Sequence, residues 1–285
     1  MITRPGSKTS ARVWTIEGGR ARLHPDDLAT EEPLEIRLLA GNERRTLAVT
    51  MRTPGNDFEL AAGFLHSEGI IAGRDEIARI SYCIDPEVDA DQRYNIVNVA
   101  IRRSTLPELA PLERHVFTSS ACGVCGKASL DALAIRGCAV VPDGPSVPIE
   151  TLYRLPEALR EAQGVFRKTG GLHAAALFDP DGSLIALRED VGRHNALDKL
   201  IGWALLEGRL PLERGILLLS GRASFELVQK SVVAGIPVVA AVSAPSSLAV
   251  ETARRFGVTL IGFLRGERCN VYAGRERLGL PEGAA

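Results

Sequence analysis

Polar and apolar residues alternate over 12–15, 34–39 and 45–51, the period of a half-buried strand, and Gly41-Asn42 supplies a turn between the last two. The first ten residues carry no such pattern and read as a frayed tail. Pro54-Gly55-Asn56-Asp57 interrupts the strands, and Asp57 is placed to cap a helix running to about Glu68. Leu60, Ala61, Phe64 and Leu65 fall at the spacing of one buried helical face. A further strand is predicted over 94–101. A loop from Thr118 to Lys127 follows, then a short helix from Ala128 to about Ile135.

Residues 137–148, with three prolines and two glycines, read as a linker into an amphipathic helix that ends near Lys168, before Gly170-Gly171. Strands at 172–178 and 183–188 flank Asp179-Pro180-Asp181-Gly182, a hairpin signal. A helix is predicted over 195–206. Apolar strands at 215–219, 237–242 and 258–263 then alternate with helices starting at Ser224 and Ser246. Near-continuous apolar strands alternating with helices indicate a mostly parallel sheet buried on both faces. The expected class is α/β, with a C-terminal three-layer α/β/α domain over 149–285 and a smaller strand-rich α+β domain over 1–117. Residues 118–148 form the loop, short helix and linker between them.

A chain of 285 residues can bury a full core without staples. With 34 basic against 35 acidic residues, it lacks the overall basic excess of a nucleic-acid-coating protein or a polybasic membrane binder. No apolar run approaches the ~20 residues of a membrane span. The polar start carries no signal-peptide pattern. Five cysteines, odd in number and widely spread, do not suit a secreted disulfide scaffold. The expectation is a reduced, cytoplasmic protein.

Two of those cysteines, Cys122 and Cys125, form a Cys-x-x-Cys pair among small residues. Four uses compete: half of a zinc site, a thioredoxin-like redox pair, a sulfur-relay nucleophile, or two incidental thiols. Cys83, Cys138 and Cys269 are isolated, so a structural four-cysteine zinc site lacks its second half. The surroundings favour a nucleophile. Gly123 and Gly126 leave the sulfurs open, while Lys127 and a helix start just beyond favour thiolate over thiol. Zinc deaminases carry H-x-E before P-C-x-x-C. His66-Ser67-Glu68 fits the first part, but Ala121 replaces the proline, and His66 is expected on the surface of its helix.

More of the chain then falls into a pattern. Arg52-Thr53-Pro54-Gly55, Glu59 to Leu65 and Glu68-Gly69-Ile70-Ile71 precede Cys122-Gly123-Val124-Cys125-Gly126. Thr169-Gly170-Gly171-Leu172-His173, Glu189 to Lys199, Ser220-Gly221-Arg222, Gly262 to Gly266 and Asn270-Val271-Tyr272 follow in order. Taken together, from Arg52 to Tyr272, the chain resembles the FdhD family, sulfur carriers required for formate dehydrogenase activity.

The resemblance implies a sulfurtransferase that takes sulfur from a cysteine desulfurase as a persulfide. It would pass that sulfur to the molybdenum cofactor bis(molybdopterin guanine dinucleotide) before the cofactor enters formate dehydrogenase. It places the persulfide on Cys122, with Cys125 as partner, although spacing alone does not separate the two. It maps cofactor binding onto Phe263, Leu264, Arg265, Gly266, Glu267 and Arg268, and it implies homodimers and a C-terminal domain similar in fold to cytidine deaminases. A guanine nucleotide is the expected mimic of the cofactor. No resident metal is expected.

Binding a dinucleotide requires pyrophosphate sites, and the strand-to-helix turns 219–224 and 242–247 qualify, with Arg222, Ser224 and Arg265 as candidate contacts. The same serines also fit ordinary helix caps. Arg193, His194, Asn195 and Asp198 form a polar cluster that suits either a ribose or guanine contact or a solvated helix start, and His173 is similarly open. Trp203 and Leu206 read as core. Between Ala253 and Arg277, six arginines face only Glu267 and Glu276, a basic patch that the overall balance conceals. A non-catalytic cofactor-binding chaperone and a zinc-dependent deaminase remain the rival readings.

Overall fold

The computed structural model describes residues 5–108, 140–141 and 144–279. An antiparallel ribbon of β1 (Lys8–Glu17) and β2 (Arg20–Ala29) comes first, so of the expected frayed tail residues 8–10 are strand. Neither strand shows a buried face, which is why β2 left no alternation to read.

β3 (Glu32–Ala40), β4 (Glu43–Arg52), β5 (Ile77–Tyr82) and β6 (Ile96–Ile101) form a four-stranded sheet in the order β4-β3-β6-β5. α1 (Asp57–Ser67) covers it: Leu60, Ala61 and Leu65 pack against Leu34, Ile36, Leu38, Val97 and Val99, as its apolar spacing predicts. The residue preceding α1 is Asn56, in the left-handed conformation, and Asp57 does not cap it. Asp57 is instead buried inside the first turn, where Arg52 holds its carboxylate with Nε–Oδ1 at 3.1 Å and an Nη2 bond at 3.3 Å.

Two helices, α2 (Ile149–Ala162) and the single turn α3 (Phe166–Thr169), lead into the second sheet. Its strands are β7 (His173–Phe178), β8 (Leu184–Asp190), β9 (Ile216–Leu219), β10 (Val238–Ala241), β11 (Thr259–Arg265) and β12 (Arg268–Ala273), in the order β12-β11-β10-β9-β7-β8. Between them run α4 (Arg193–Leu206), α5 (Phe225–Val233) and α6 (Ser247–Phe256). β9, β10 and β11 are parallel, while β7, β8 and β12 run antiparallel to their neighbours. The sheet is therefore mixed rather than mostly parallel. An apolar run records burial on both faces but not strand direction.

Successive side chains of a strand point to opposite faces. Ala174, Ala176, Phe178, Ile216 and Leu218 pack on Leu152, Leu155 and Leu159 of α2. Ala175, Leu177, Leu217 and Leu219 pack on α4, α5 and α6 through Leu197, Leu200, Leu227, Val228 and Phe256. These are the three α/β/α layers expected. Each fully buried Leu or Phe contributes roughly 1.5–3 kcal/mol of transfer free energy.

The two sheets meet through α1 and α4. Around that crossing lie three buried ion pairs: Arg52–Asp57, Lys199–Asp190 at 2.6 Å and Lys230–Asp198 at 2.8 Å. Asp190 also accepts from Thr53 N, Gly192 N and the Asn195 amide, and Lys199 donates to Thr53 O.

Candidate functional site

The carboxyl ends of β9, β10 and β11 open into a cleft of about 680 Å³. Ser220, Val242 and the run Leu264-Arg265-Gly266 line one side, and Gly170, Gly171 and His173 the other. Tyr153 and Arg160 of α2 complete the wall. Ligands gather at this end of an open α/β sheet because loops diverge there and helix N-termini converge.

Three of the expected cofactor residues, Leu264, Arg265 and Gly266, therefore meet at the cleft. Arg265 Nε donates to Val242 O at 3.1 Å, which anchors the guanidinium at the rim. Phe263 is exposed, with φ 52°, and its N–H donates to Ser243 O at 3.1 Å. A non-glycine residue held left-handed is strained, and such strain concentrates at ligand clamps. Glu267 is exposed in the turn and Arg268 begins β12; neither lines the cleft.

Arg222 and Ser224 are also away from the cleft lining. Arg222 is exposed. Ser224 stands at the N-cap of α5 without a side-chain capping bond, its Oγ 3.4 Å from His194 Nε2. Ser246 does cap α6, accepting from Ala249 N at 3.3 Å. The two strand-to-helix turns bond to each other: Ala223 N to Ala244 O, Ser243 N to Gly221 O and Ser246 N to Ala223 O. Those amides are already satisfied.

The polar residues opening α4 divide. Asn195 and Asp198 are buried structural groups, each bonded across to the N-terminal half. His194 Nε2 lies 2.8 Å from Glu226, whose carboxyl is held below its usual range by that bond. His173 is pushed below the ordinary imidazole value, first by burial and then by Arg193 and His194. Its ring lies so close to Gly221 that a β-carbon there would stand 3.3 Å from Nδ1.

His66 is not the surface residue expected of α1. Both ring nitrogens are shielded from solvent, burial lowers its pKa, and Glu68 faces Lys230 at 3.7 Å. Trp203 packs against the core, with Arg188 and Arg209 over its ring. Among the described residues, no three His, Cys, Asp or Glu groups gather as for a metal ion, and no helix is long and apolar enough to cross a membrane.

Cys122 and Cys125, with Lys127 and Cys138, lie outside the described residues, as does the short helix expected after them. Of the flanking residues, Val141 N donates to Phe256 O and Leu106 N to the Glu43 carboxylate. Val141 thus sits beside the start of β11, at the end of the sheet opposite the cleft.

Tyr153 and Arg160 carry no signal in the sequence, and Glu189 stands there only as the first residue of the Glu189-to-Lys199 run, with no role assigned to it. Glu189 accepts from the N–H groups of Val165 and Phe166. No local spacing could pair residues so distant along the chain.

Residues 29–279 match the FdhD/NarQ family. A protein of Streptomyces avermitilis named sulfur carrier protein FdhD is 56% identical over 277 residues, covering 96% of each chain. Its namesake in Mycobacterium tuberculosis is 49% identical over 271 residues, covering 94% of this chain and 97% of that one. A crystal structure of a candidate formate dehydrogenase accessory protein from Desulfotalea psychrophila superposes with a TM-score of 0.72 at 26% identity, over 95% of this chain and 99% of that one. On a match spanning most of its length, the chain belongs to the FdhD/NarQ family.

Proposed function

We propose that this protein is a cytoplasmic sulfur carrier that matures the molybdenum cofactor for formate dehydrogenase. The observation that carries this reading is near-full-length identity to relatives named sulfur carrier protein FdhD, in a chain that holds the Cys122–Cys125 pair.

The chemistry balances with the residues present. The Cys122 thiolate attacks the outer sulfur of a desulfurase persulfide; the donor's S–S bond breaks, its cysteine leaves as thiolate, and Cys122 becomes the persulfide. For delivery, the Cys125 thiolate attacks the Cys122 sulfur of that persulfide. A Cys122–Cys125 disulfide forms, and the terminal sulfur leaves as sulfide carrying the electron pair.

The acceptor is bis(molybdopterin guanine dinucleotide), a substrate rather than a resident group. Support for the cleft as its docking site comes from Arg265 and Arg160, two guanidinium groups suited to phosphate. Gly170 and Gly171 allow close approach, and His173 offers an imidazole beside them. In this reading the protein acts as a homodimer, with a cysteine desulfurase and formate dehydrogenase as partners.

Formate dehydrogenase activity in cells carrying Cys122→Ala tests it. The reading expects loss of activity with protein level unchanged. Unimpaired activity would falsify the carrier role and favour a cofactor chaperone whose cysteines only steady a loop.

A further inference from the structure

We propose that Glu189 is a positioning residue for the cleft, setting the shape of its glycine rim; this deepens the reading of the cleft as a nucleotide-end site. Glu189 lies near the end of β8, one residue before the buried Asp190. Its Oε1 accepts from Phe166 N at 2.8 Å and its Oε2 from Val165 N at 3.0 Å.

Those two amides stand at the N-terminus of α3, where a helix leaves its N–H groups without partners. Within a single turn of helix they are a large share of the ordering available. A carboxylate spanning both is a charge-assisted clamp.

What α3 carries is the rim. Phe166 lines the cleft, and the turn runs directly into Gly170 and Gly171, which line it as well. Gly170 closes α3 in the left-handed conformation, with its N–H on Phe166 O at 2.7 Å. Thr169 Oγ1 donates to Val165 O and accepts from Gly171 N. These bonds at Thr169, Gly170 and Gly171 return, directly or through the Thr169 hydroxyl, to Val165 or Phe166, the two residues Glu189 holds.

Successive side chains on a strand face opposite ways. Glu189 therefore serves the α2–α3 face, while Asp190 bonds Thr53, Gly192 and Lys199 on the α4 face. The clamp adjoins the buried Asp190–Lys199 ion pair in the chain, and its carboxylate is held by two amides before any ligand arrives. Glu189 need not touch a ligand to act; it acts through the rim.

The test titrates guanosine diphosphate into the full chain and into its Glu189→Ala and Glu189→Gln variants, with amide exchange followed in the same samples. The proposal expects about tenfold weaker binding by Glu189→Ala, as follows from losing a charge-assisted bond. Glu189→Gln, which keeps one acceptor oxygen, recovers part of the affinity. Faster exchange is expected over 165–171 and not in β9 or β10. Unchanged exchange at 165–171 overturns the proposal, as does a general loss of stability with unchanged affinity. If the unmodified chain fails to bind the nucleotide while Glu189→Ala still loosens 165–171, the nucleotide reading of the cleft falls and the rim assignment stands.

Discussion

Gly63 of α1 and Gly202 of α4 meet backbone to backbone: a β-carbon on Gly63 would stand 1.8 Å from Asp198 O, and one on Gly202 1.8 Å from Glu59 O. The crossing joins the helix over the four-stranded sheet to α4, which packs on the six-stranded sheet. Nothing at that contact is a flexible side-chain end that could move aside.

Gly63→Ala and Gly202→Ala should therefore each destabilise the fold by about 3 kcal/mol or more, beyond what over-packing costs where side chains can give way. Urea denaturation measures this. A loss below about 0.5 kcal/mol, the size of a neutral surface change, would contradict the close crossing.

Lys230 and Asp198 sit beside that crossing, both buried and joined at 2.8 Å and 3.0 Å. Burial pushes the Asp198 carboxyl up and Lys230 pulls it back. Lys230→Met removes the pull and leaves an unpaired buried charge, costing about 3–5 kcal/mol near neutral pH. A raised folded-state pKa means the folded chain takes up a proton more readily than the unfolded one. The deficit should narrow as pH falls toward that raised value and stay largest above it. Denaturation midpoints across pH check the sign.

His66 works the other way. Burial holds its imidazole below the ordinary 6.5. On acidification from about 6.5 the unfolded chain protonates first, so stability is lost as pH falls toward the lowered value. His66→Gln should flatten that part of the stability–pH curve. An unchanged slope would mean the buried ring is not titrating as described.

Within the cleft, Arg265 and Arg222 separate two versions of the binding reading. Arg265 lines the cleft and is anchored on Val242 O; Arg222 is exposed and outside it. Arg265→Ala should weaken guanosine diphosphate binding by about tenfold, whereas Arg222→Ala should change it less than about twofold. Calorimetric titration of both variants decides, and the reverse order would move the phosphate site to the β9–α5 turn.

Much of this architecture is legible in the residues. Asp179-Pro180-Asp181-Gly182 marks the β7–β8 hairpin, and apolar runs mark β9, β10 and β11. The exposed β2 escapes, because a strand without a buried face has no alternation to display. Asp57 looks like a cap in sequence; proximity to Arg52 in space draws it into a buried pair instead. Asn195 and Asp198 look like polar helix-surface groups because their partners, Met51 and Lys230, are remote in the chain. The cysteine motif is a different case: Cys122, Cys125, their glycines and Lys127 favour a nucleophile from local sequence, and the choice among the four competing uses of such a pair rests on the family resemblance rather than on spacing.

In the proposed function, sulfur travels on Cys122. Intact-mass and peptide mass spectrometry of the full chain, after incubation with a cysteine desulfurase and cysteine, measures it directly. The expected result is one added sulfur atom, removable by reductant, localised to Cys122 and absent from Cys122→Ala but present on Cys125→Ala. No adduct on the unmodified chain, or an adduct that persists when Cys122 is replaced, would contradict it.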